Sequence, residues 1–235
     1  MALFLRDFEE KLHTLFGLSV NGIAGLVAFS PWLDLSMNST SAMQNTEFDY
    51  LVNPITHCSL SSAWLYMDGL SALTRYLSSD YSELTKEMNV ASKNNCYMSP
   101  VFARDLTGLP PTFIVAGASE LLLSEAILFY GRVTGLVENA SYDDTWVKTY
   151  SSTLLEDFSK GDKEVRTKLL CEHDAPILLE VYNNLPHCFP FMKNFKFEGT
   201  TAITRVSKWA SCLEWNDYGE NKQQKILTTG SYIIY

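Results

Sequence analysis

The sequence lacks a long apolar run and any cluster of basic residues. No stretch reaches the roughly 20 apolar residues of a transmembrane helix, and the first apolar residues meet Arg6 too soon for a signal peptide. Lysine and arginine number 18 against 27 acidic residues, for a net charge of -9. Because nucleic-acid binding depends on basic side chains that neutralise phosphates, this balance argues against a nucleic-acid partner. We expect the chain itself to carry no targeting or membrane-spanning segment.

Closely spaced cysteine pairs are also missing. The five cysteines are scattered, at Cys58, Cys96, Cys171, Cys188 and Cys212. None has the C-x-x-C spacing of a zinc or dithiol site, and neighbouring His–Cys pairs lack the spacing that presents two ligands to one ion. We therefore expect no metal and no cofactor. Two sequons, at Asn38 and Asn139, permit glycosylation if the chain enters a secretory compartment.

What is present is the pattern of one α/β domain. At 235 residues, with 46% hydrophobic residues, the chain is long enough for one sizeable core. Short apolar runs bounded by glycine or proline predict buried parallel strands, and apolar residues at steps of three and four predict amphipathic helices. The predicted strands are 23–30, 112–117 and 177–182, and the predicted helices are 2–15, 121–133 and 203–215.

Three other segments are less regular. Residues 36–95 are polar and aromatic, and we interpret them as a helical crossover with a cap. Residues 138–173 are rich in charged and hydroxyl side chains and predict a surface insertion, with an exposed helix near 163–170. The tail 216–235 carries no clear signal. In the cap, Trp64, Tyr66 and Met67 either line an acyl or sterol pocket or belong to a core, and the sequence leaves both interpretations open.

Two residues stand where parallel strands end. Glu120 follows the predicted strand 112–117, and His187 follows the strand 177–182. Glu120 is a candidate acid and His187 a candidate general base, although a carboxylate favoured by a helix dipole and an ordinary loop histidine are the simpler alternatives. The Leu-Pro-His sequence directly after a strand favours the functional interpretation of His187.

Several separated motifs resemble one enzyme family. Residues 30–36 read SPWLDLS, 97–103 read YMSPVFA and 108–112 read GLPPT. In this order and spacing they resemble the hormone-sensitive-lipase branch of the α/β-hydrolases. The resemblance implies an α/β fold that is the C-terminal part of an α/β-hydrolase domain, with a mostly parallel sheet. It covers nearly the whole chain, 1–235, as a single domain.

The resemblance also implies roles for the two candidate residues. The branch's acidic pattern falls on residues 120–125, which places Glu120 at the acid position and gives Glu125 a less defined role. His187 then takes the position of the base, and its partner carboxylate would accept the Nδ1 proton. Asp34 we interpret as a side chain that caps a turn.

The departures from the family concern the nucleophile. The sequence contains no G-x-S-x-G and no H-G-G-G, so the nucleophile elbow and the oxyanion motif are both missing. We expect the serine to lie upstream of Met1 and the chain alone to be inactive. The strand 23–30 would then leave an apolar sheet edge, which predicts self-association. The alternative is a non-catalytic remnant that serves as a binding or interaction module.

Within the branch, the insertion, the sequons and SPWLDLS are similar to the fungal steryl acetyl hydrolase type. This similarity implies a serine carboxylic-ester hydrolase that deacetylates a sterol or short-chain acyl ester on the lumenal side of the endoplasmic reticulum. Membrane association would come only through upstream sequence.

Overall fold

The fold is described from a computed structural model that covers residues 2–7, 11, 14, 23–36, 38–51, 86, 90–91, 93–159, 167–171 and 176–213. The described residues do not include the cap segment with Trp64, Tyr66 and Met67 or the tail 216–235. Of the predicted helix 2–15, the segment Ala2–Asp7 forms a helix, α1.

Four strands form the described sheet: β1 (Leu26–Phe29), β2 (Thr112–Gly117), β3 (Thr167–Cys171) and β4 (Ile177–Tyr182). Their order is β1-β2-β4-β3, with β1, β2 and β4 parallel and β3 antiparallel to β4. The strands predicted at 112–117 and 177–182 are confirmed with the same bounds. Within the described sheet β1 lies at one end, and Leu26 is 38% exposed.

Helices cover both faces of the sheet. The other helices are α2 (Thr40–Gln44), α3 (Leu123–Val133), α4 (Thr145–Ser159) and α5 (Lys196–Ser211), with short 3₁₀ turns at Pro100–Phe102, Phe189–Phe191 and Lys193–Phe195. On one face, Ile114 and Leu179 pack with the buried side of α3. On the other, Phe113 and Val115 pack against α5. Alternate residues of a strand point to opposite faces, so the continuous apolar runs supply both cores.

The segment 138–173 differs from its prediction. Val147 and Leu154 of α4 are buried in the same core as α3, so this part of the segment is not confined to the surface. The helix predicted near 163–170 is wrong where the structure describes it, because Thr167–Cys171 is a strand paired with β4. The run Leu169–Leu170–Cys171 is too short for its periodicity to separate strand from helix.

The last helix begins earlier than predicted. It starts at Lys196, seven residues before the predicted 203, and ends at Ser211. The first two turns are poor in apolar residues and rich in threonine, so hydrophobic periodicity gives no sign of them. Three threonines of this helix donate a hydrogen bond from the hydroxyl to the carbonyl four residues back, at Thr200, Thr201 and Thr204.

Candidate active site

The candidate site lies where the three parallel strands end. Ser30 follows β1, Glu120 follows β2 and His187 follows β4. Gly117 allows two of these connections to meet, since a Cβ at this position would lie 2.1 Å from the carbonyl oxygen of Leu185. The amide of Ser119 donates to that same carbonyl at 3.1 Å. The chain before His187 is therefore fixed against the end of β2.

Glu120 is completely buried. Its Oε2 accepts a hydrogen bond from the Ser30 hydroxyl at 2.5 Å and another from the Gly117 amide at 3.1 Å. Burial raises the pKa of Glu120 to about 8, although both hydrogen bonds oppose this change. At neutral pH the group is mainly a neutral acid. Its Oε1 has no hydrogen-bond partner among the described residues.

His187 is held through its backbone. Its amide donates to Asp49 Oδ1 at 3.3 Å, and its ring lies 5.9 Å from the ring of Tyr50, centre to centre. Burial lowers the pKa of His187, and the charge of Asp49 opposes this shift. The imidazole is therefore mainly neutral at pH 7, as a general base requires. Its Nδ1 is buried and has no hydrogen-bond partner within the described part of the chain.

The structure places Glu120 and His187 in one network without a hydrogen bond between them. Each keeps one buried polar atom without a partner, Oε1 in Glu120 and Nδ1 in His187. These are the two atoms that an acid–histidine pair would join, and an unpaired buried polar group is costly. Their catalytic roles therefore stay predictions, and the geometry identifies which atoms would have to meet.

Ser30 connects the two candidates. Its hydroxyl donates to Glu120 and accepts a hydrogen bond from the Cys188 amide at 2.9 Å. Ser30 has a φ of 46°, in the left-handed region that few residues other than glycine adopt. In the sequence, Ser30 stands out only as the first residue of the SPWLDLS motif. Its place between an apolar strand and Pro31 was the only local sign of this role.

Asp34 and Glu125 form a separate buried cluster. Asp34 Oδ1 accepts from the Ser36 amide at 2.8 Å, which confirms the predicted turn cap, and Oδ2 accepts from the Tyr142 hydroxyl at 2.7 Å. Glu125 Oε2 accepts from the Leu33 amide at 3.1 Å. Burial raises the pKa of Glu125 well above its usual value. These contacts hold the turn after β1 against α3, and they give Glu125 a structural role.

The described residues show neither a metal-binding cluster nor a membrane-spanning helix. They contain no group of three or more histidine, cysteine or acidic side chains placed to hold a metal ion. Among them, no helix combines the length and apolar character that crossing a bilayer requires.

Comparisons with known proteins identify the fold. No protein-family model and no curated protein matches the chain. A hormone-sensitive lipase from a metagenome library is similar in structure, with a TM-score of 0.53, 21% identity and coverage of 91% of this chain and 50% of that one. An esterase/lipase from an uncultured bacterium gives a TM-score of 0.49 and 18% identity, over 89% of this chain and 47% of that one.

A bacterial esterase of the hormone-sensitive lipase family gives a TM-score of 0.45 and 20% identity, over 86% and 47% of the two chains. The chain thus spans about half the length of these structures. At these identities the likeness concerns the fold alone. With its parallel strands, its flanking helices and its similarity to the metagenomic lipase, the chain has part of an α/β-hydrolase fold.

Proposed function

We propose that this chain carries the acid and the histidine of a serine carboxylic-ester hydrolase site. The observation that carries the proposal is that two residues after the ends of adjacent parallel strands each keep one buried polar atom without a partner, Glu120 Oε1 and His187 Nδ1. The motifs SPWLDLS and GLPPT support the same family. The serine would come from sequence outside the chain, because the chain has no G-x-S-x-G.

In this mechanism His187 Nε2 takes the proton of the serine hydroxyl as that oxygen attacks the ester carbonyl. His187 then gives the proton to the departing alcohol, and water hydrolyses the acyl-enzyme by the same route. Glu120 would accept a hydrogen bond from Nδ1–H, which requires its carboxylate form. Because its pKa is about 8, Glu120 must first release its proton to solvent, and the positive charge of the imidazolium then stabilises the carboxylate.

The proposed substrate is a steryl acetate or another short-chain ester, and the proposed location is the lumenal side of the endoplasmic reticulum. Both rest on similarity to the steryl acetyl hydrolase type. Asn38 and Asn139 are exposed, as glycosylation requires. Any membrane association would come from upstream sequence, and self-association would occur through β1.

The test begins with the coding sequence upstream of Met1. We expect an in-frame G-x-S-x-G, and we expect the extended protein to hydrolyse p-nitrophenyl acetate. His187→Ala should lower kcat about 10³-fold or more, whereas the exposed Glu138→Gln should leave it unchanged. Full activity in His187→Ala would overturn the proposal. Turnover by the 235-residue chain that His187→Ala abolishes would move the nucleophile into this chain.

A second candidate function is a non-catalytic binding or interaction module. The absence of both G-x-S-x-G and H-G-G-G favours it. This alternative predicts a monomeric chain that melts cooperatively and has no esterase turnover. An insoluble purified chain would contradict it, as would an active extended protein.

A further inference from the structure

Asp49 lies between the two loops that carry the candidate residues. Its Oδ2 accepts a hydrogen bond from the Leu121 amide at 2.8 Å, and its Oδ1 accepts from the His187 amide at 3.3 Å. One carboxylate thus contacts the residue after Glu120 and the backbone of His187 itself. No other described side chain accepts hydrogen bonds from the backbone of both loops.

The segment before Asp49 is fixed against the same loop. Asn45 Nδ2 donates to the carbonyl of Ala118 at 3.2 Å and to that of Glu120 at 2.9 Å. The Ser41 hydroxyl, in α2, donates to the carbonyl of Leu121 at 2.7 Å. Asp49 is therefore held at a defined distance from the loop after β2, and its bond to the His187 amide transmits that position to the second loop.

The titratable groups around His187 determine the charge beside its imidazole. Among the described residues, the titratable groups around His187 are Asp49, Tyr50, Glu120 and Cys188. Burial raises the pKa of Tyr50, Glu120 and Cys188, so these three favour their neutral forms. Asp49 is half-buried, and water can still solvate its carboxylate.

We infer that Asp49 is a positioning residue of this site, whose carboxylate ties the loop of Glu120 to the loop of His187 and provides the negative charge beside the imidazole. The inference rests on the proposed function only for the meaning of His187 as a proton carrier. The contacts and the charge can be measured in the 235-residue chain without any turnover.

The test is titration of the His187 imidazole by NMR, with its signal assigned from its loss in His187→Ala. Asp49→Asn keeps the size of the side chain and one acceptor oxygen but removes the charge, so we expect the pKa of His187 to fall by about one unit. The matched control Glu47→Gln removes an exposed carboxylate two residues away and should leave that pKa unchanged. Glu120→Gln should change it less, since Glu120 is bonded to Ser30 and Gly117 and has no hydrogen bond to His187.

The opposite pattern, a fall in Glu120→Gln and none in Asp49→Asn, would overturn the inference and leave the esterase proposal standing. If the pKa of His187 falls in Asp49→Asn and the extended protein is inactive, the inference stands and the esterase proposal is overturned. Hydrogen exchange provides the second measurement: Asp49→Ala should speed exchange of the Leu121 and His187 amides about tenfold or more relative to Glu47→Gln. Unchanged exchange at both amides would show that the carboxylate does not tie the loops.

Discussion

Glu180 in β4 and Glu120, just after the neighbouring strand β2, are two buried carboxyl groups with different surroundings. Both side chains are inaccessible to solvent. Glu180 lies 2.6 Å from Arg205 Nε of α5, whereas the partners of Glu120 are the Ser30 hydroxyl and the Gly117 amide. Burial raises the pKa of Glu180 to about 7, with Arg205 opposing it, and the pKa of Glu120 to about 8.

The different partners give the two carboxyl groups different roles. An arginine beside Glu180 stabilises its charge and binds α5 to β4, so this carboxylate is used in packing. Glu120 has hydrogen-bond donors but no described cation, so its charge is costly until a cation forms nearby. A histidine that becomes protonated during a reaction would provide that cation. A carboxyl group tuned in this way is typical of functional sites.

Removing the cation from the Glu180 pair gives the largest expected effect. Arg205→Met leaves a buried carboxylate without its partner and should lower the free energy of unfolding by about 3–5 kcal/mol at pH 8, measured by urea denaturation. At pH 5 Glu180 is protonated and the loss should be smaller. The double variant Glu180→Gln/Arg205→Met should recover most of the stability. Equal losses at both pH values would show that charge is not the cause.

The second prediction concerns the pH dependence from Glu120. Its pKa rises from 4.5 to about 8 on folding, so the folded state holds a proton that the unfolded state has lost between these values. Stability from this group is complete below pH 4.5 and declines by about 1.4 kcal/mol per pH unit up to pH 8. Glu120→Gln should remove that slope, as measured by denaturation from pH 5 to pH 8.

The effects of Glu120 and Glu180 on the free energy of unfolding end at different pH values, because the slope from each group ends at its folded pKa. Glu180→Gln should flatten the curve only up to about pH 7, the folded pKa of that group. Of these two glutamates only Glu120 contributes to the slope between pH 7 and pH 8, and the exposed Glu138→Gln should change neither range. If Glu120→Gln leaves the slope unchanged from pH 7 to pH 8, Glu120 is already ionised there.

The sequence predicts strands β2 and β4 but not the contacts of Glu120 or Glu180. Strands 112–117 and 177–182 were found because their apolar runs are bounded by proline or glycine. Glu180 interrupts such a run, and Arg205 lies in a helix whose beginning the periodicity missed. Their ion pair is a contact between distant segments, and one sequence has no local signal for it.

The candidate site was predictable to the same extent. Glu120 and His187 follow strand ends, which a linear pattern can identify. Ser30 and Asp49 act through contacts with residues 90 and 138 positions away. These contacts depend on how the loops meet at the sheet edge. The motif resemblance identifies Ser30 as part of a family pattern but does not predict its hydrogen bonds. Nothing in the sequence distinguishes Asp49.

The third prediction tests the approach of the loops around Glu120. Gly117→Ala would place a Cβ 2.1 Å from the Leu185 carbonyl oxygen. The loop carrying His187 must then move, and we expect a loss of about 1–3 kcal/mol, since overpacking against the backbone has that cost. Amide chemical shifts of Leu185, His187 and Cys188 should change more than those of β3. A variant of full stability would show that this loop adapts freely.

The smallest expected effect comes from the hydroxyl that serves Glu120 in place of a cation. Ser30→Ala keeps the Cβ and therefore the strain at φ 46°, so the comparison isolates the hydrogen bonds to Glu120 and from the Cys188 amide. We expect a loss of about 1 kcal/mol at pH 5. The loss should grow above pH 8, where Glu120 ionises in the wild-type fold, because the hydroxyl lowers the pKa of Glu120 and its removal makes ionisation costlier. Ser207→Ala removes an exposed hydroxyl bonded within α5 and should change stability by less than about 0.5 kcal/mol at either pH. If the two serine variants behave alike, the Ser30 hydroxyl does not stabilise the Glu120 charge.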